Sequence, residues 1–131
     1  MPSILLVEDD EMIRNMYTAG LSKEGFVVTP VANANDALTS VGAKSFDVIL
    51  LDMLLGGMSG IDFLVAAELQ IKAPQTQVIG LSNIGSDSVK ARALALGVID
   101  FLDKADYDPV KLADYLRKLP PRTPQAAAPT A

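Results

Sequence analysis

Val48-Ile49-Leu50-Leu51-Asp52 is an unbroken aliphatic run that stops on a carboxylate. A run this short and this apolar reads as a strand buried on both faces, the kind found in parallel sheets. Three other runs share the design. Ile4-Leu5-Leu6-Val7 stops at Glu8-Asp9-Asp10, Val78-Ile79-Gly80-Leu81 at Ser82-Asn83, and Ile99-Asp100-Phe101-Leu102 at Asp103-Lys104. A fifth run, Phe26-Val27-Val28-Thr29, meets Pro30 and reads as chemically inert at its end.

Helix-period segments separate these strands. Ile13, Met16, Tyr17, Gly20 and Leu21 form the first stripe, with Asp10 as N-cap and Gly25 as stop. Ala34, Ala37, Leu38 and Val41 form the second, and Leu64, Ala67 and Ile71, closed by Pro74, the third. A fourth carries Val89, Ala93 and Leu96 between a Ser86 cap and Gly97. The last opens on Asp108-Pro109 and runs to about Leu119. Five such β/α units predict a doubly wound α/β fold, a parallel sheet between two helix layers joined by right-handed crossovers. Ligands on such sheets bind beyond the carboxyl ends of the strands.

The 131 residues suit one domain, expected over 1–119. Residues 120–131 are Pro, Ala, Thr, Gln and one Arg, which predicts an unordered tail or linker. A net charge of -5 with no basic stripe argues against direct nucleic-acid binding and against docking on an anionic membrane. The chain has neither cysteine nor histidine, which removes thiolate chemistry, disulfides and the commonest general base. No apolar stretch is long enough to span a bilayer, and the start of the chain does not read as a signal peptide. The expected location is the cytoplasm.

The flavodoxin-like strand order 2-1-3-4-5 is taken over as a known arrangement for such units. It brings Glu8 and Asp9 beside Asp52. Carboxylates this close repel, and a divalent cation resolves the conflict; hard oxygen donors suit Mg²⁺, with Mn²⁺ as a substitute. Ser82 falls on the other side of Asp52, and the long Lys104 side chain bridges from one strand further out. The set suits phosphoryl transfer: Asp52 as nucleophile, the metal and Lys104 neutralising phosphoryl oxygens, the Ser82 hydroxyl donating to a third oxygen.

In this order and at these strand ends, the stretches at 4–10, 46–52, 58–60, 78–82 and 97–104 resemble the receiver domains of two-component response regulators. The resemblance implies Asp52 as phosphoacceptor, Asp9 as direct metal ligand, Glu8 acting largely through water and the Leu54 backbone carbonyl as a third protein ligand. It implies Ser82 and Lys104 as the catalytic hydroxyl and lysine, and Phe101 as an aromatic whose rotamer follows Ser82. The implied partners are a sensor histidine kinase or phosphotransfer protein, and a downstream effector reading the surface of the fourth helix and fifth strand. A phosphorylation-linked homodimer is compatible with this reading. Self-catalysed phosphorylation and dephosphorylation are expected, without turnover of a separate substrate.

Three positions depart from the family pattern. Ala105 follows Lys104 where the family has proline after a cis bond, and a cis bond without proline costs about 2.5–4 kcal/mol. Gly56 replaces a proline, and Asn83 replaces a very small residue. Asn83 and the apolar Leu54 are expected to slow self-dephosphorylation by crowding the acyl phosphate. Ala105 keeps open a degenerate receiver that binds partners without phosphorylation. An Mg²⁺-dependent aspartyl phosphatase is disfavoured, because Glu8-Asp9-Asp10 is not Asp-x-Asp and there is no room for a cap domain. A flavin-binding reading fails on the acidic first loop.

Overall fold

The computed structural model describes residues 2–55, 59–82 and 87–120, without the Ser82 side chain. Gly56, Asn83, the Ser86 cap and the expected tail after Pro120 lie outside the described residues. Five strands, β1 (Ser3–Val7), β2 (Val27–Val31), β3 (Val48–Asp52), β4 (Gln77–Ser82) and β5 (Val98–Asp103), form one sheet in the order β2-β1-β3-β4-β5. Every neighbouring pair is parallel, as the alternation of strands and helices predicts.

The strands bury alternate residues on opposite faces. On one face Ile4, Leu6, Val48, Leu50, Ile79 and Leu81 meet Tyr17 and Leu21 of α1 (Glu11–Lys23) and Leu112, Ala113 and Leu116 of α6 (Pro109–Arg117). On the other, Leu5, Val7, Ile49 and Leu51 meet α2 (Ala34–Ala43), α3 (Gly60–Ala67), α4 (Leu69–Lys72) and α5 (Asp87–Ala95). The result is the expected three-layer sandwich.

Side chains fix where several helices start. Asp10 accepts from the Ile13 N–H at 3.0 Å, Asn33 from the Asp36 N–H at 2.8 Å and Asp108 from the Lys111 N–H at 2.8 Å. Ser59 and Asp62 cap α3 reciprocally. Gly25 and Gly97, the expected stops, have φ of +98° and +108°. Gly20 is needed for packing: a Cβ there would lie 2.2 Å from the Pro109 Cβ, so α1 and α6 touch through a missing side chain.

Four details differ from the sequence reading. The third expected helix is two helices, because Glu68 adopts the left-handed conformation at φ 49°. The break turns the next turn of helix, so Leu69 is buried and Ile71 is exposed. Met16 is also exposed; the stripe of α1 is narrower than its apolar residues suggest. β2 does not end at Pro30 but continues to Val31. Proline is tolerated there because β2 is an edge strand.

The fourth difference is in β5. Val98 pairs with Val78, but Asp100 pairs with Ile79, so Ile99 is an extra residue in the ladder. Regular alternation would put Val98 and Leu102 on one face. Instead Val98 and Phe101 lie on the α2–α5 face and Leu102 on the α1–α6 face. The bulge thus sets Phe101 opposite Gly80 and Asp103 opposite Ser82.

Candidate metal and phosphoacceptor site

Asp52 closes β3 with strands on both sides, beside β1 through the Val7–Leu51 pair and beside β4 through Leu81. It is 3% exposed. Its Oδ1 accepts from the Leu54 N–H at 2.9 Å, and its Oδ2 accepts from Lys104 Nζ at 3.0 Å. The same ammonium lies 2.6 Å from Glu8 Oε1, and Glu8 is 1% exposed. Lys104 therefore ties the ends of β1 and β3 together from beyond β5.

Glu8, Asp9 and Asp52 each offer a carboxylate oxygen, and these oxygens lie within 4.8 Å of one another. Two buried acids share a single lysine, so negative charge is left over. Burial pushes the Glu8 carboxyl above the ordinary carboxylate range, and the Asp52 charge adds to the rise. Lys104 and the Asp10 N–H oppose that rise without cancelling it. Burial works against the Lys104 charge, but its bonds to Glu8 and Asp52 outweigh this and raise its pKa. Glu8 Oε2 accepts from the Asp10 N–H at 3.1 Å, whereas buried Glu8 Oε1 has the Lys104 charge contact and no aligned hydrogen bond. Three carboxylates gathered around one lysine leave hard oxygen donors and excess negative charge that fit a divalent cation such as Mg²⁺.

The structure brings Glu8, Asp9, Asp52 and Lys104 to one spot. Ser82 ends β4, paired with Asp103, one strand from Asp52; its hydroxyl lies outside the described atoms. Phe101 is half-buried, with its ring over Gly80: a Cβ on Gly80 would lie 2.5 Å from the ring. Lys90 of α5 sits 6.0 Å above the same ring. Leu54 follows two residues after Asp52, with an exposed side chain. The Lys104–Ala105 bond is trans, since the described residues contain no cis peptide. Asp103 shapes the turn that follows, accepting from the Ala105 N–H at 2.8 Å through its side chain and from the Asp106 N–H at 3.0 Å through its carbonyl. Lys104 thus reaches Asp52 without a proline after it.

Two participants were not read from the sequence. The Val31 carbonyl accepts the Glu8 N–H at 3.1 Å and so fixes the backbone where the acidic loop begins. Arg14 Nη1 donates to the Glu8 carbonyl at 3.0 Å and reaches the Asp9 carbonyl at 3.4 Å. The signal was available, because side chains on a helix lean toward its N-terminus and Arg14 lies one turn inside α1.

A family model for the response regulator receiver domain matches residues 4–117. The chain belongs to that family. Among related proteins, the transcriptional regulatory protein YvrH of Bacillus subtilis is 34% identical over 125 residues, covering 95% of this chain and 51% of YvrH. The sensory transduction protein RegX3 of Mycolicibacterium smegmatis is 36% identical over 104 residues, covering 79% of this chain and 44% of RegX3. This receiver chain spans about half the length of these curated relatives. The chemotaxis protein CheY4 of Vibrio cholerae superposes with a TM-score of 0.82 at 28% identity, covering 92% of this chain and 99% of that one. Among the described residues of the receiver, no helix is long and apolar enough to cross a membrane.

Proposed function

We propose that this receiver takes a phosphoryl group onto Asp52 from a phosphohistidine of a sensor histidine kinase or phosphotransfer protein. An Asp52 oxygen attacks phosphorus and the P–N bond breaks. The departing imidazole nitrogen keeps the electron pair and takes up a proton from solvent, leaving an acyl phosphate on Asp52. A Mg²⁺ ion held by Asp9, Asp52, the Leu54 carbonyl and, through water, Glu8 would draw charge off the phosphoryl oxygens; Mn²⁺ suits the same donors. Lys104 supplies positive charge at the nucleophile, and its ammonium shifts from Glu8 toward the incoming oxygens. Ser82 donates its hydroxyl to the bound group, and Phe101 follows it inward. The surface of α5 and β5 then changes for a downstream effector or a second copy of the chain. The protein modifies itself, in the cytoplasm, and turns over no separate substrate.

The observation that carries this reading is Lys104 Nζ, 3.0 Å from Asp52 Oδ2 and 2.6 Å from Glu8 Oε1. The degenerate-receiver alternative draws on Ala105, and the lysine beside Asp52 weighs against it. The chain incubated with a small phosphodonor and Mg²⁺ should gain the mass of one phosphate, and Asp52→Asn should gain none. An unchanged wild-type mass, or an equal gain in the variant, overturns the proposal.

A further inference from the structure

We infer that Arg14 is a positioning residue that holds the first acidic loop in its metal-binding shape; the inference rests on the proposed Mg²⁺ site. β1 ends at Val7, so the carbonyls of Glu8 and Asp9 lie beyond the last residue of the strand. Arg14, one turn into α1, supplies donors to both, at 3.0 Å and 3.4 Å. These two residues bring two of the three carboxylates of the site.

Three consecutive acids repel one another, and a loop free to relax would spread them. The Glu8 N–H is held by Val31, and the Asp10 side chain is held by the Ile13 N–H. Arg14 fixes the two carbonyls between these anchors. It does so from a helical backbone whose N–H donates to the Asp10 carbonyl at 2.9 Å. Both bonds leave one nitrogen, Nη1, whose two N–H groups have fixed directions in the guanidinium plane, whereas a lysine ammonium is a rotating point charge on a shorter side chain.

The charge of Arg14 and its geometry predict opposite outcomes. A cation beside the acids by itself weakens binding of a second cation, so its removal would tighten Mg²⁺. A positioning role predicts that removal loosens Mg²⁺, because the carboxylates lose their arrangement.

Titration calorimetry of Mg²⁺ on the full chain separates the two, with Arg14→Met, Arg14→Lys and, as a helix control, Thr18→Ala. Both Arg14 variants should raise the Mg²⁺ dissociation constant about tenfold, the lower end for partners that orient metal ligands. Thr18→Ala should leave it unchanged. Phosphorylation by a small phosphodonor should need correspondingly more Mg²⁺ for half its maximal rate, with the plateau rate preserved. An unchanged or tighter constant in Arg14→Met, an Arg14→Lys variant equal to wild type, or a Thr18→Ala variant as weak as Arg14→Met overturns the inference. A wild-type chain that binds no Mg²⁺ overturns the metal site as well, whereas a normal wild type with insensitive variants overturns only the role of Arg14.

Discussion

Glu8 and Asp52 stand at the ends of inner strands, each with a neighbour on both sides, whereas Lys104 and Phe101 belong to an edge strand and the turn after it. The acidic half is set by backbone: β1 and β3 are buried along almost their whole length, and their register fixes the two carboxylates. The cationic half is set by reach. β5 is bulged at Ile99, exposes Ile99 and Asp100, and delivers its charge through the long Lys104 side chain. In the proposed function the acids hold a fixed arrangement, and the lysine and aromatic move. Rigid inner strands suit the first duty and an edge strand the second.

If the inner half is the rigid one, core truncation there should cost most. Leu50→Ala, at a fully buried site on β3, should destabilise the fold by about 2–5 kcal/mol in denaturant unfolding. A loss smaller than that of the Gly80 substitution below would break the comparison.

Gly80→Ala tests the junction between the halves. The new methyl would meet the Phe101 ring at 2.5 Å. The ring should be displaced, at a cost of about 1–3 kcal/mol, with overpacking rather than backbone strain as the cause. Nuclear magnetic resonance shifts of the Phe101 ring should change while those of Leu5 and Ile49 stay put. A change spread evenly over the sheet would contradict an independent edge half.

The smallest effect is a pH dependence at the edge. Tyr115 of α6 donates to Asp100 of β5 at 2.7 Å, and burial together with this bond pushes its pKa well above the ordinary 10.0. Above that value the folded state holds the proton more tightly than the unfolded chain does. The Tyr115 contribution is therefore complete below about pH 10 and is lost as pH rises toward the folded value. Wild type should be more stable than Tyr115→Phe at about pH 8, and the gap between their melting temperatures should narrow at about pH 11. A constant gap would mean that the phenol is not protected by Asp100.

Most of this architecture was legible in the sequence because the inner strands announce themselves: four aliphatics, or three and a glycine, before a polar stop need no context. The caps at Asp10 and Asp108 were equally plain, since short polar side chains before helical runs have one common use. What was not legible depends on tertiary geometry. Nothing local to Ile99 marks it as an extra residue; the bulge exists because β5 must pair with β4 and still place Phe101 over Gly80. Glu68 carries no glycine signal for its left-handed turn, so helical spacing points Ile71 inward although it is exposed. The pairing of Lys104 with Glu8 follows from charge left over when both acids are buried, which residue order alone does not display.

Three strand ends, those of β1, β3 and β5, bring Glu8, Asp9, Lys104 and Asp52 together, which favours Asp52 as the proposed acceptor. Treating the chain with a small phosphodonor and Mg²⁺, reducing the acyl phosphate with borohydride and mapping the modified peptide by mass tests it most directly. A single modified aspartate is expected, at Asp52, in the peptide spanning β3. Modification at Asp9 or Asp103 instead, or none at any aspartate, would contradict it.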